Sequence, residues 1–260
     1  MNSIEIRDSD ELVKNLLNPR TEWLQMDSGD YYLDELTLPV SKWLRGFGPL
    51  QTRLHLRGNL RPSILSKFQD FTLISEPGSV VCDNASFSHF KEVTFQSDLP
   101  LQNHVGVMSW RQINSKNSAI VVSPEANPDN AYKLRFEECG FNFLEYGIQI
   151  FPPSDRAITS WYLNNCEFNG CKQAVWGNWI TQWYVFLGNV QLSKTAYYVA
   201  GTRNCFVWNH IERSAEHFKI LGEDNVIFMV DARKDKVFDL GVNTLITYRG
   251  HKNPGTKVEL

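Results

Sequence analysis

The feature that most constrains this chain is that its second half repeats. Set under one another, the segments starting at Leu134, Trp161, Val185, Phe206 and Ile227 read LRFEECGF, WYLNNCEF, VFLGNVQL, FVWNHIER and IFMVDARK, at intervals of 27, 24, 21 and 21 residues. A second register follows downstream as YGIQI, QAVWG, YYVAG, FKILG and VFDLG, and its glycines Gly177, Gly201, Gly222 and Gly241 fall 24, 21 and 19 residues apart. Each unit holds a short β-rich run, a polar turn, an apolar/polar alternation and a second apolar strand. Helical 3.6-residue spacing is absent from the region. Units of about 20 to 25 residues with several short strands predict a parallel β-solenoid, in which stacking buries a core that no single unit could bury.

In this alignment the sixth position is Cys139, Cys166, Val190, Ile211 and Ala232. Cys166 therefore reads as a small core residue, since free cysteine buries well. A Cys139–Cys166 disulfide is the alternative. A zinc site needs about four ligands at recognised spacing, and no second pair completes one. Neither a metal nor a cofactor is expected. The five cysteines fit a reduced compartment better than a disulfide scaffold.

The N-terminal stretch SDELVKNLL has apolar residues at helical spacing and a candidate N-cap at Ser9. It is expected to cover the open end of the solenoid, because an unpaired sheet edge invites aggregation. The expected organisation is a capping segment over 1–20, a solenoid domain over 21–250 and a tail over 251–260. Beyond the helix, the run Gly29-Asp30-Tyr31-Tyr32-Leu33, then LTL, then LRGFGPLQTRLHL, resembles the first rungs of the pectin-lyase-like superfamily. The resemblance implies an all-β fold, a right-handed parallel β-helix with a short N-terminal capping helix. It does not select an activity, since the superfamily includes polysaccharide lyases, hydrolases, epimerases, phage tailspikes and non-catalytic adhesins.

Alternation along the first strand of each unit predicts Leu134/Phe136, Trp161/Leu163, Val185/Leu187, Phe206/Trp208 and Ile227/Met229 inside. Lys133/Arg135, Ser160/Tyr162, Tyr184/Phe186, Cys205/Val207 and Val226/Phe228 then point outward. This outer face turns apolar toward the C-terminus, so a subunit interface is expected there, with cover by a loop or the C-terminal tail as the alternative, and a homotrimer is the arrangement the tailspike resemblance implies.

Two polar rows follow in the same alignment: Glu138, Asn165, Asn189, His210 and Asp231, then Gly140, Glu167, Gln191, Glu212 and Arg233. On rungs about 4.8 Å apart, Glu212 and Asp231 are the candidate carboxylate pair for glycosidic hydrolysis. His210 and Arg233 would assist it, or would serve as base and neutralising cation in a lyase. An amide ladder on a solvated face is the plainer reading of the same rows. Trp176, Trp179, Trp183, Tyr184, Tyr197 and Tyr198 cluster near one bend. With Glu167, the residues Trp176, Trp179, Trp183, Tyr197 and Tyr198 are the candidate carbohydrate-binding set, because flat aromatic faces suit pyranose rings. Packing of a wide bend is the alternative.

The expected function is a carbohydrate-binding β-helix resembling a phage tailspike or appendage, with cleavage of a surface polysaccharide left open. The alternatives are a free polysaccharide lyase or glycoside hydrolase, and a purely structural solenoid. A net charge of −3 without a basic run gives no support for nucleic acid. No apolar run reaches membrane-spanning length. The start lacks a secretory pattern, so a virion or extracellular surface reached without a cleaved signal is the expected location.

Overall fold

A computed structural model describes residues 4–98, 116–151, 157–230 and 234–249. The chain winds into a parallel β-solenoid of about ten turns. Every strand pair between neighbouring turns is parallel, from Ile4–Ile6 on Trp23–Met26 at one end to Val226–Val230 on Leu245–Arg249 at the other. The first strand precedes the helix, so the capping segment already contributes a rung.

Each turn in the central part has three faces. The first stacks Lys67–Gln69, His89–Lys91, Arg135–Glu137, Tyr162–Asn164, Tyr184–Phe186 and Cys205–Val207. The second stacks Gly140–Asn142, Glu167–Asn169, Asn189–Gln191 and His210–Glu212. The third stacks Tyr146–Ile150, Gln173–Thr181, Thr195–Thr202 and Glu216–Ile220.

Sharp corners separate the faces, and a left-handed residue makes each one. Between the first and second faces these residues are Asp70, Glu92, Glu138, Asn165, Leu187 and Trp208, all with φ between 51° and 60°. Such φ values are uncommon for non-glycine residues. The alternation restarts after each corner, which changes the expected inside–outside assignment at two positions. Leu187 and Trp208 are corner residues, 49% and 53% exposed, and not core residues. The other predicted inward residues, Leu134, Phe136, Trp161, Leu163, Val185, Phe206, Ile227 and Met229, are buried.

The same corners correct the repeat register. Trp183 stacks on Trp161 with ring centroids 4.6 Å apart, and Leu163 pairs with Val185. The spacing at that step is therefore 22 residues and not 24. Cys139 and Cys166 share a column, and the next residues in it are Gly188 and Asn209. Val190 and Ile211 belong to the neighbouring core column with Phe168. Ala232 lies outside the described residues. Gly201, Gly222 and Gly241 do stack; a Cβ on Gly222 would collide with the carbonyl oxygen of Gly201. Gly177 instead pairs with Ile150 and Val199, because a bulge at Asn178/Ile180 offsets that strand.

Aromatic ladders fill the core. Phe68, Phe90 and Phe136 stack at 4.9 Å between successive rings. Phe95, Phe141 and Phe168 stack at 4.8 and 4.5 Å. All five cysteines are free, and Cys139, Cys166 and Cys171 are buried. Burial pushes the Cys171 thiol up to about 12, so these thiols act as small apolar fillers.

Helix Ser9–Leu17 closes the N-terminal end by burying Leu12 and Leu16 in the same core. Its N-cap is Asp8 and not Ser9: the Asp8 carboxylate accepts from the Glu11 N–H at 2.8 Å. Ser9 Oγ accepts from the Tyr32 N–H and ties the helix to the sheet. Beyond the helix, the buried Lys42 ammonium donates to the carbonyls of Asn18 and Thr21 at 2.6 and 2.5 Å. It satisfies acceptors that a helix end would otherwise leave bare.

Candidate functional site

The second face carries the polar rows, regrouped by the corners. One outward column runs Thr94, Gly140, Glu167, Asn189 and His210. The next runs Gln96, Asn142, Asn169, Gln191 and Glu212. Glu138 and Asn165 are not in either; they share the corner column with Leu187 and Trp208. The expected row of Glu138, Asn165, Asn189 and His210 therefore splits in two, and so does the row of Glu167, Gln191 and Glu212.

His210 and Glu212 stand on one strand and one face. His210 Nε2 lies 3.9 Å from Glu212 Oε2, and Arg213 Nε lies 3.2 Å from Glu212 Oε1. Val230 is the residue that pairs with His210, through a bulge at Val207/Asn209. The candidates Asp231 and Arg233 lie outside the described residues. Glu167 stands two rungs from His210, about 9.6 Å away along the solenoid at 4.8 Å per rung.

The amide column has one feature of note. Gln191 Nε2 donates to Asn189 Oδ1 at 3.4 Å, which links the two columns. The buried Asn169 Oδ1 has no hydrogen-bond partner among the described residues. A buried acceptor without a donor is costly.

The aromatic candidates fall into two groups. Trp183 and Tyr197 are fully buried and are corrected to core residues. The Trp183 indole donates to the Ile158 carbonyl at 3.2 Å, and the Tyr197 hydroxyl lies 3.4 Å from Asn209 Oδ1. Burial lifts the Tyr197 phenol far above its usual range. Trp176 and Tyr198 face outward on the third face but stack on each other at 4.6 Å, with Tyr146 edge-on to Trp176. Their faces are thus largely used by one another. Trp179 is 60% exposed. Among the described residues neither Trp179 nor Trp208 packs its ring against another aromatic. Trp208, missed as a site residue, stands at the rim of the second face. Its signal in the sequence was the WNH step, where a tryptophan precedes two polar residues at a bend.

The sequence reading also missed a charged cluster on the early rungs. His55 Nδ1 lies 2.6 Å from Glu76 Oε1, and its Nε2 lies 3.0 Å from Asp30 Oδ1. Arg53 reaches Asp30 at 2.7 Å. Burial of Asp30 opposes ionisation, but hydrogen bonds from His55 and Arg53 outweigh it and hold the carboxyl below the usual carboxylate range. Tyr32 stacks on His55 at 4.7 Å, and Arg57 lies over its ring at 4.4 Å. Each group is satisfied by its neighbours, which marks the cluster as a clasp between rungs.

Among the described residues no group of three or more His, Cys, Asp or Glu side chains is placed to hold a metal ion. No helix among them is long and apolar enough to cross a membrane. No protein-family model matches the chain, and no curated protein matches it in sequence.

Proposed function

We propose that this solenoid is a carbohydrate-binding protein of the appendage type that tailspikes represent, and that its second face holds the glycan. The observation that carries the reading is the double column of Glu167, Asn189 and His210 beside Asn142, Asn169, Gln191 and Glu212. It is amide-rich and repeated at rung spacing, with the exposed Trp208 ring at its rim. Side-chain amides both donate to and accept from sugar hydroxyls, carboxylates accept from them, and an indole face suits the apolar side of a pyranose. The described part of the strip offers Glu212 alone as a carboxylate beside His210. The proposal is therefore binding; cleavage would need Asp231 or Arg233 to complete the pair.

A glycan-array screen tests the reading, paired with reducing-end and unsaturated-product assays on any hit. Gln191→Ala and Trp208→Ala should each weaken the hit about tenfold or more, equivalent to about 1.4 kcal/mol, with unchanged melting temperature. Absence of any glycan hit, or full binding by both variants, would sink the proposal.

The first face supports a second element of the proposal, a homotrimer. Tyr184, Cys205, Val226 and Leu245 form one outward column, and Phe186, Val207 and Phe228 the next. Tyr184, Val226 and Leu245 are 43%, 39% and 59% exposed. An apolar stripe of this kind is usually a contact surface, and closed symmetry is the usual outcome for identical chains.

A further inference from the structure

A polar-walled cleft opens on the third face of the early rungs, far from the residues of the second-face proposal. Its volume is about 450 Å³, and its floor is apolar, made by Val81 and Val121, which pair on adjacent rungs. Its walls carry Asn59, Arg61, Asp83 and Glu125. An apolar floor with a few convergent polar groups is the usual build of a small-molecule site.

The wall groups are positioned, and their charges do not cancel. Asp83 accepts from both the N–H and the hydroxyl of Ser123. Arg61 reaches Glu35 at 3.1 Å and Asp83 at 3.6 Å. Among the described residues its guanidinium is the only basic group lining the cleft. Glu125 is exposed on the rim and has no hydrogen-bond or ion-pair partner among the described residues. Within the cleft Arg61 therefore stands against Asp83 and Glu125, and Glu35 outside the lining pairs with it as well, an excess of negative charge in a concave site, where the field of one sign is concentrated.

We propose that this cleft binds a hydroxyl-rich cation, an amino sugar with its ammonium on Glu125. The ring would lie over Val81 and Val121, with hydroxyls donating to Asp83 and accepting from Arg61 and the Asn59 amide. The charge excess selects against a uronic acid of the same shape, and a neutral sugar lacks the ion pair. The inference does not rest on the second-face reading, since it uses different residues on a different face.

The test titrates the full chain with glucosamine, glucose and glucuronate while the backbone amides of Val81, Val121 and Ser123 are followed by NMR. Glucosamine should shift these amides saturably, glucose should bind at least about fivefold more weakly, and glucuronate should bind least. Glu125→Gln, an exposed and isosteric change, should reduce the glucosamine preference over glucose to near parity. Failure of glucosamine to move these amides overturns the proposal, as does equal binding of the three sugars or an undiminished preference in Glu125→Gln.

Discussion

The early and late rungs of this solenoid solve opposite problems with one backbone. On the first face, the early columns read Lys67, His89 and Arg135, and Gln69, Lys91 and Glu137. They are polar or charged, and the half-buried His89 and Glu137 pair across 3.3 Å. The later residues of the same columns are Tyr184, Cys205 and Val226, and Phe186, Val207 and Phe228. The interior changes in the kind of polar group it buries. Early rungs bury Thr52, Ser66, Ser75 and Ser88 beside their phenylalanine ladders, whereas late rungs bury the asparagines Asn204, Asn209 and Asn225 with Ser193 and Ser214. The late core is held by amide ladders: Asn225 Oδ1 accepts from the Asn204 backbone at 3.0 Å and from its side-chain amide at 3.0 Å. Asn204 Oδ1 in turn accepts from the Trp183 N–H. On this face the early columns are polar, and the late columns present apolar side chains to the surface.

The strongest test of the register is Ile211→Asp. Ile211 is 2% exposed and pairs with Val190, so the carboxylate would be buried without a partner. A loss above about 4 kcal/mol is expected, enough to remove most of a typical domain's margin. Circular dichroism during thermal unfolding checks it; a melting temperature close to that of the parent would mean that Ile211 faces out.

The next pair sets the two kinds of core against each other. Phe141→Ala opens the aromatic ladder between Phe95 and Phe168 and should cost about 3–5 kcal/mol through lost transfer energy and cavity. Asn204→Ala removes little volume but strands the buried Trp183 N–H, at a cost of about 1–3 kcal/mol. Urea midpoints measure both. If Asn204→Ala costs as much as Phe141→Ala, the amide ladder is worth more than its separate bonds, and the late core is not the weaker half.

The solenoid was legible in the sequence because its units recur and inward residues such as Leu163, Val185 and Phe206 keep their apolar character. The register was legible only to within two residues. Alternation is blind to a corner residue that adopts a left-handed conformation without being glycine, and Leu187 and Trp208 look like any inward apolar residue. That one displacement moved Cys166 away from Val190 and merged two polar columns into a false ladder. His210 and Glu212 were nonetheless placed on one face, because they sit two apart on one strand, where alternation holds. The His55 clasp was invisible for another reason: Asp30, His55 and Glu76 come from three rungs of unequal length, and no fixed interval connects them.

The last prediction asks whether the outer change on the first face has a consequence for assembly. Phe186 and Phe228 lie in one column with Val207 between them. They are partly exposed, so glutamate is sterically tolerated at both positions. A Phe186→Glu/Phe228→Glu variant should change the stability of a single chain by only about 0.5 kcal/mol, as exposed substitutions generally do. Its effect should appear in mass instead. Light scattering of the parent at micromolar concentration should give three times the 30.0 kDa chain mass, and the variant should fall to that of one chain. The matched control is Lys91→Gln on the early rungs, which should leave both mass and melting temperature unchanged, since an exposed Lys91–Glu92 pair contributes little. A parent near 30 kDa removes the trimer. A parent that stays trimeric when both phenylalanines carry charge moves the interface to another face, and then the late stripe must be covered by something other than a copy of itself.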